Sequence, residues 1–300
     1  MVGFVKSLPR IRPLTLAAWA LPVWLVAGAL LWKTLAAEAA RDRWMADEAL
    51  ALVRASDRQV ADVVSALDGL AASPELAAGD LTAFRAKAND LVNRLGATTL
   101  LLTASDGRTL VNTLFEDVPQ RRRTSLEVMA KVFATGRPAV SDLFIGPVSK
   151  LPMVAIELPI PPGRYVVQTL AVNLPVKPFQ ELVANRPLPA GVIDVLLDGN
   201  RVVIARSVNS ERLVGAKVAP TVVEAFQRKP DGIVEAPSFE GVMTRWAACR
   251  SQENSWMVVV GRPAPSPYVA ALYWGLWSVS SLVLLAAALR AWRRRGSRLR

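Results

Sequence analysis

Two charge-free apolar runs, one near each end, bracket every acidic residue of this chain. Pro13 to Trp32 carries no charged side chain for 20 positions, and Pro263 to Leu289 carries none for 27. As helices, with a rise of about 1.5 Å per residue, both can cross a hydrocarbon core roughly 30 Å thick. On the outer side of the runs every charged residue is basic: Lys6, Arg10 and Arg12 before the first, and Arg290, Arg293, Arg294, Arg295, Arg298 and Arg300 after the second. The positive-inside tendency puts both termini in the cytoplasm and residues 34–266 on the far side of a bacterial inner membrane. A cleavable signal peptide competes for the first run, since Ala37-Glu38-Ala39 offers an A-x-A-like site after a basic start. Against it, the run is longer than a signal core of roughly 7 to 15 residues, and Lys33 follows it directly. The middle of the chain is exported on either reading.

The net charge of +11 invites a nucleic-acid reading that its distribution removes. Four basic residues lie in positions 1–33 and six in 290–300, which leaves 26 basic against 25 acidic residues between them. The excess faces lipid headgroups, so the expected partner is the bilayer and no nucleic acid. Trp32, Tyr268 and Trp292 suit the membrane interfaces, where one ring edge stays wet. The chain has no histidine, which excludes a phosphoaccepting histidine and most zinc or histidine-base chemistry, and it has no phosphate loop of the G-x-x-x-x-G-K kind. No catalytic residue, metal site or cofactor is expected. The single cysteine, Cys249, rules out an internal disulfide; its apolar neighbours suit buried filler, while redox sensing and an intermolecular bridge are the alternative roles.

Periodicity orders the 233 residues in between. From Glu38 to Leu70 a helical pattern puts Val53, Val60, Val63, Leu67 and Leu70 at a and d positions, continuing the first span. After Ser73-Pro74, Asp80 can cap a second helix in which Leu81, Phe84, Ala88, Leu91 and Leu95 share a face, with Gly96 as its stop. Thr98 to Thr103 and Arg108 to Leu114 read as strands joined at Asp106-Gly107. Thr124 with Glu127 forms a capping box for a helix to Ala134, stopped by Gly136 and Pro138. Strands follow at about 139–145, 153–160 and 164–172. The order then repeats: strands at 192–197 and 201–206 around Asp198-Gly199-Asn200, a helix at 221–228, and strands at 233–236, 241–249 and 256–260. Hairpin, helix and three antiparallel strands, twice over, predict an α+β protein of two tandem five-stranded modules.

This layout resembles the double Cache sensors of bacterial histidine kinases, diguanylate cyclases and chemoreceptors. Local phrases carry the likeness: Ala139-Val-Ser-Asp-Leu-Phe-Ile-Gly-Pro-Val148, Asp198-Gly-Asn-Arg-Val-Val-Ile-Ala-Arg-Ser207 with Leu213-Val-Gly-Ala-Lys217, and Trp256-Met-Val-Val-Val-Gly-Arg262 before a span. The resemblance implies two PAS-like (Cache) modules with antiparallel sheets on a long N-terminal helix, flanked by two transmembrane helices. The expected divisions are a cytoplasmic N-terminus (1–12), a first span (13–33), stalk and packing helices (34–96), a membrane-distal module (97–186), a membrane-proximal module (187–264), a second span (265–289) and a basic cytoplasmic tail (290–300).

By that resemblance the distal module hosts a small organic ligand. Strand alternation turns Val154, Ile156 and Leu158 toward the long helix and leaves Met153, Ala155 and Glu157 opposite. Taken as one strand, 139–145 puts Val140, Asp142 and Phe144 on a common face, offering a carboxylate and an aromatic wall. Arg123, with Arg121 and Arg122, suits a bidentate grip on a ligand carboxylate, and Lys150 lies in the next loop. The expected ligand-binding set is Arg123, Asp142, Phe144, Lys150 and Glu157. Each has a plainer reading: solvated arginines, Asp142 capping a turn or pairing with one of them, and Glu157 facing water.

The function expected is that of a membrane-anchored sensor that moves its two membrane helices when ligand shifts a population of conformations. Only 11 residues follow Leu289, so the output is expected in a separate cytoplasmic or membrane partner, or in a portion of a kinase or cyclase outside this sequence. A two-pass scaffold that binds a protein partner is the other class. The a and d seam at Val53 to Leu70 serves a homodimer, the packing of the chain's own sheets, or both on different faces.

Overall fold

The computed structural model describes residues 13–115, 127–161, 166–228 and 232–296. Helix α1 (Pro13–Ala71) runs unbroken for 59 residues. Its described residues up to Arg43 belong to one compact unit with the C-terminal helix, and from Trp44 on they belong to another, Trp44–Ala264. In the first unit α1 is accompanied by α8 (Pro267–Gly296). Both helices are long and apolar enough to cross a membrane. Leu25, Val26, Val279, Leu282 and Leu285 are more than half exposed there, an apolar surface that suits lipid. The Trp24 indole stacks on Trp277 with centroids 5.9 Å apart and donates from Nε1 to the Ser281 hydroxyl at 2.9 Å.

In the second unit the sequence of α1 explains the packing. Met45, Ala49, Leu52, Val53, Ser56, Val60, Val63, Leu67 and Leu70 form one stripe with steps of three or four residues apart from the adjacent Leu52 and Val53, and all are buried. They join one core with inward residues of two sheets, among them Leu102, Ile156 and Val172 of the first and Leu196, Val258 and Val260 of the second. Burying each such side chain stabilises the fold by roughly 1.5–3 kcal/mol. The seam is thus occupied by the chain's own sheets.

After α1, Ser73 caps the short α2 (Pro74–Ala77). Asp80 Oδ1 accepts from Ala83 N at 3.0 Å to start α3 (Leu81–Leu95), and Gly96 ends it at φ 60°. The first sheet comprises β1 (Thr99–Ala104), β2 (Thr109–Asn112), β3 (Ala139–Val140), β4 (Phe144–Ile145), β5 (Pro152–Ile160) and β6 (Gln168–Pro175), with α4 (Glu127–Thr135) ahead of β3. Its order is β2-β1-β6-β5-β3, and β4 also pairs with β5. Next come α5 (Lys177–Ala184), β7 (Ile193–Leu197), β8 (Val203–Arg206), α6 (Ser210–Leu213), α7 (Pro220–Arg228), β9 (Val234–Pro237), β10 (Met243–Arg250) and β11 (Met257–Pro263). The second sheet runs β8-β7-β11-β10-β9, which is the connectivity of the first repeated. The architecture is therefore α+β, with two antiparallel sheets on one long helix.

Apart from the short helices α2 and α6, which the sequence reading did not include, three elements differ from the sequence expectation. The strand expected over 139–145 is two short pairings, because the Ser141 hydroxyl accepts from Ala155 N at 2.8 Å in place of a backbone carbonyl. The chain then leaves the sheet until Phe144. Val140 and Phe144 consequently lie on opposite faces: Val140 is opposite Ile156 and Phe144 opposite Met153. The last strand of the first sheet lies at 168–175 instead of 164–172. Helix α5 was not expected at all; Phe179 and Val183, four residues apart, anchor it. Its Gln180 side chain bonds both ways with the Arg206 backbone, covering the open edge of β8. Thr124 of the expected capping box lies outside the described residues.

Candidate ligand-binding site

The face of the first sheet turned away from α1 carries the candidate site. On β5, Met153, Ala155 and Glu157 point to this side. In register beside them on β6 stand Ala171, opposite Glu157, and Asn173, opposite Ala155. On β1, Leu101 faces Ala171 and Thr103 faces Thr169. Helix α4 contributes the apolar residues Val128 and Val132, which cluster with Ala139. Within these surroundings Glu157, Thr103 and Thr169 have no exposed surface. Thr103 Oγ1, Thr169 Oγ1 and Asn173 Oδ1 are buried with no hydrogen-bond partner among the described residues. Leaving a buried polar group unsatisfied costs about 1–3 kcal/mol. Three unpartnered buried oxygens on the face that also carries the Glu157 carboxylate form a surface that a donor-rich ligand would complete.

The expected ligand residues are only partly brought together. Glu157 is buried on this face, so the reading of it as a water-facing edge residue is excluded. Phe144 is half-buried on the same face, four residues of β5 away, or about 13 Å at the strand rise. Lys150 is exposed in the turn after β4, at a left-handed φ of 56°. A Cβ at Gly146 in that turn would lie 2.4 Å from Met153 Cε, so a larger residue there would displace the Met153 side chain. Arg123 lies outside the described residues.

Asp142 is placed elsewhere. Its Oδ1 accepts from Gly199 N and its Oδ2 from Asn200 Nδ2, both at 2.8 Å, in the β7–β8 turn. Asp198 returns the contact, accepting from Leu143 N at 2.9 Å. Burial pushes the Asp198 carboxyl up, opposed by the amides of Val202 and Leu143. The Trp256 indole adds a bond to the Ser141 carbonyl at 3.2 Å. Asp142 thus fastens the first sheet to the second, and it shares no strand face with Phe144 because the strand is interrupted between them.

Thr103, Thr169 and Asn173 were missed in sequence reading, although polar residues inside otherwise apolar strands were the available signal. Two further charged groups were missed as well. Asp194 is fully buried with Arg186 Nε 3.8 Å away, while Arg186 itself bonds Glu48 at 2.6 Å. Burial, then the Glu48 charge, pushes Asp194 up to about 7 against the pull of Arg186. Arg206, also fully buried, grips Glu240 through Nη1 at 2.8 Å and Nη2 at 3.0 Å. That bond holds Glu240 down at about 2. Among the described residues no group of three His, Cys, Asp or Glu could hold a metal ion.

This fold is the one found in extracellular ligand-binding domains of bacterial chemoreceptors and histidine kinases. The extracellular domain of rpHK1S-Z16, named as a histidine kinase, is 15% identical, has a TM-score of 0.58, and aligns over 77% of this chain and 96% of its own. The ligand-binding domain of the Pseudomonas aeruginosa amino acid chemoreceptor PctB, in complex with L-Gln, is 13% identical with a TM-score of 0.54 over 78% of this chain and 98% of its own. The ligand-binding domain of the Campylobacter jejuni chemoreceptor Tlp3, in complex with L-valine, is 15% identical with a TM-score of 0.51 over 74% and 94%. No family model matches the sequence, and no curated protein does.

Proposed function

We propose that this chain is a membrane-anchored extracytoplasmic sensor whose first sheet binds a small organic ligand bearing a protonated amine. The observation that carries the reading is the set of buried oxygens on the outer face of that sheet, Thr103 Oγ1, Thr169 Oγ1 and Asn173 Oδ1, which have no partner among the described residues and share the face with the buried carboxylate of Glu157. A cation with several N–H donors complements such a set, and a charge-assisted bond to a buried carboxylate is among the stronger ones. Amino acids meet that description, and the similar domains of Tlp3 and PctB were solved with L-valine and L-Gln. Phe144 and α4 supply apolar wall, and Lys150, with Arg123 by the sequence reading, is the proposed partner of a ligand carboxylate. In this reading both termini are cytoplasmic in a bacterial inner membrane, residues 34–266 face outward, and the chain performs no catalysis.

Ligand closing α4 onto the sheet favours one arrangement of the unit. It shifts the population only by its difference in affinity between the two arrangements, about 10⁴-fold for a change from 1:99 to 99:1. Displacement of α1 and α8 then reaches a signalling partner, or a portion outside this sequence. A thermal-shift screen of the full chain in nanodiscs, against amino acids, amines and uncharged analogues, tests this. Ligand at 100 times its dissociation constant should stabilise by about 2.7 kcal/mol. Glu157→Gln should weaken binding by about 2 kcal/mol or more, roughly 30-fold. Stabilisation by no amine, or undiminished stabilisation in the Glu157→Gln protein, defeats the proposal.

A further inference from the structure

The second sheet has a hollow on the face that α1 does not cover. Helix α7 lies over that face and packs through Val222 and Phe226 into an apolar cluster separate from the main core. Between helix and sheet remains a cavity of about 110 Å³, walled by Leu197, Val223, Phe226, Trp246, Met257 and Val259. The wall is apolar apart from Ser238 and two arginines, Arg201 and Arg250. Register places both arginines at one end. Arg250 is opposite Met257 and Met257 opposite Leu197, while Arg201 stands in the turn that follows Leu197.

That end carries two guanidiniums, only one of which has carboxylates beside it. Arg250 is exposed and forms no ion pair among the described residues. Arg201 is half-buried and donates from Nη1 to the Asp198 carbonyl at 3.2 Å. Burial and then the Arg250 charge hold the Arg201 guanidinium below its ordinary range, with Asp198 and Asp142 opposing. An anion between the two guanidiniums would relieve their mutual repulsion, and planar guanidinium suits a carboxylate.

We infer that this hollow is a second ligand site, which takes a small aliphatic monocarboxylate with its carboxylate on Arg201 and Arg250 and its tail against Val223, Phe226 and Trp246. A cavity of about 150 Å³ accommodates benzene, so the smaller volume here suits a tail of about three or four carbons. The site is independent of the amine site on the first sheet. It adjoins the Gly199-Asn200 turn that holds Asp142, so its occupant bears on the junction between the sheets.

Calorimetric titration of the full chain in nanodiscs, with empty nanodiscs subtracted, tests this with acetate, propionate, butyrate, valerate and octanoate, and with butyramide as the uncharged analogue. Each methylene that enters the cavity should tighten binding about fourfold as far as valerate, with no further gain at octanoate. Butyramide should bind at least tenfold more weakly than butyrate. The surface variant Arg250→Gln should lose tenfold or more, and Val223→Phe should abolish the dependence on chain length. Three results would each overturn the site: no saturable heat with any acid, equal binding of butyramide and butyrate, or an Arg250→Gln protein that binds like wild type.

Discussion

Replacing Asp194 with Asn should stabilise the protein at neutral and alkaline pH and flatten its pH dependence between 5 and 8. The carboxylate is fully buried, and its nearest cation, Arg186, is already bonded to Glu48. Folding therefore raises its pKa from 3.8 to about 7. Between those values the folded state holds a proton that the unfolded chain has released, so stability rises as pH falls, by about 1.4 kcal/mol per unit. The contribution is fully present below about pH 4 and lost as pH passes through about 7. Across pH 8 to 5 it amounts to nearly 3 kcal/mol as an order of magnitude. Asp57 and Asp198, also pushed up by burial, tilt the curve the same way, so the variant must be subtracted from wild type. Glu240 acts oppositely, but only as pH falls below about 4.5 toward 2. Urea titrations of the full chain in detergent at half-unit pH steps, followed by tryptophan fluorescence, supply the difference. A wild-type-minus-variant curve that is flat from pH 5 to 8, or an Asp194→Asn protein less stable than wild type at pH 8, refutes the reasoning.

Other substitutions probe the packing and the junction. Leu67→Ala removes a fully buried side chain from the seam of α1 and should cost about 2–5 kcal/mol in urea denaturation. Gly199→Ala puts a Cβ 2.8 Å from Asp142 Oδ1 and 2.7 Å from Ser255 Oγ. It should therefore cost about as much as Asp142→Ala, about 1–3 kcal/mol, and the double variant should fall well short of the sum. Glu240→Ala strands the buried Arg206 and should cost about 3 kcal/mol, while the Arg206→Leu/Glu240→Ala double variant should be less damaging than the single one.

The sequence made legible whatever is decided by neighbours in the chain. The spacing of Val53, Val60, Val63, Leu67 and Leu70 located the buried stripe of α1. Asp80 and Gly96 bounded α3, and Asp106-Gly107 and Asp198-Gly199 marked both hairpins. Alternation along β5 separated Ile156, turned to the helix, from Glu157, turned to the site. Contacts between distant parts were not legible. Asp142 meets Gly199 across 57 positions, and Arg186 meets Glu48 across 138. Nothing local to Asp194 signals that its strand is covered on both faces. The interruption of the strand at Ser141 depends on a hydroxyl standing in for a carbonyl, which periodicity does not encode. α5 escaped because eight residues with a proline near the start read as a loop until Phe179 and Val183 find a core.

The most direct test of the sensor account is amide hydrogen exchange of the full chain in nanodiscs, with and without the amine selected by the stability screen. Binding on the outer face of the first sheet predicts slowed exchange in α4 (Glu127–Thr135) and in the turn from Gly146 to Leu151, with α7 (Pro220–Arg228) unchanged. Protection confined to α7, with α4 exchanging as in the free protein, would contradict it.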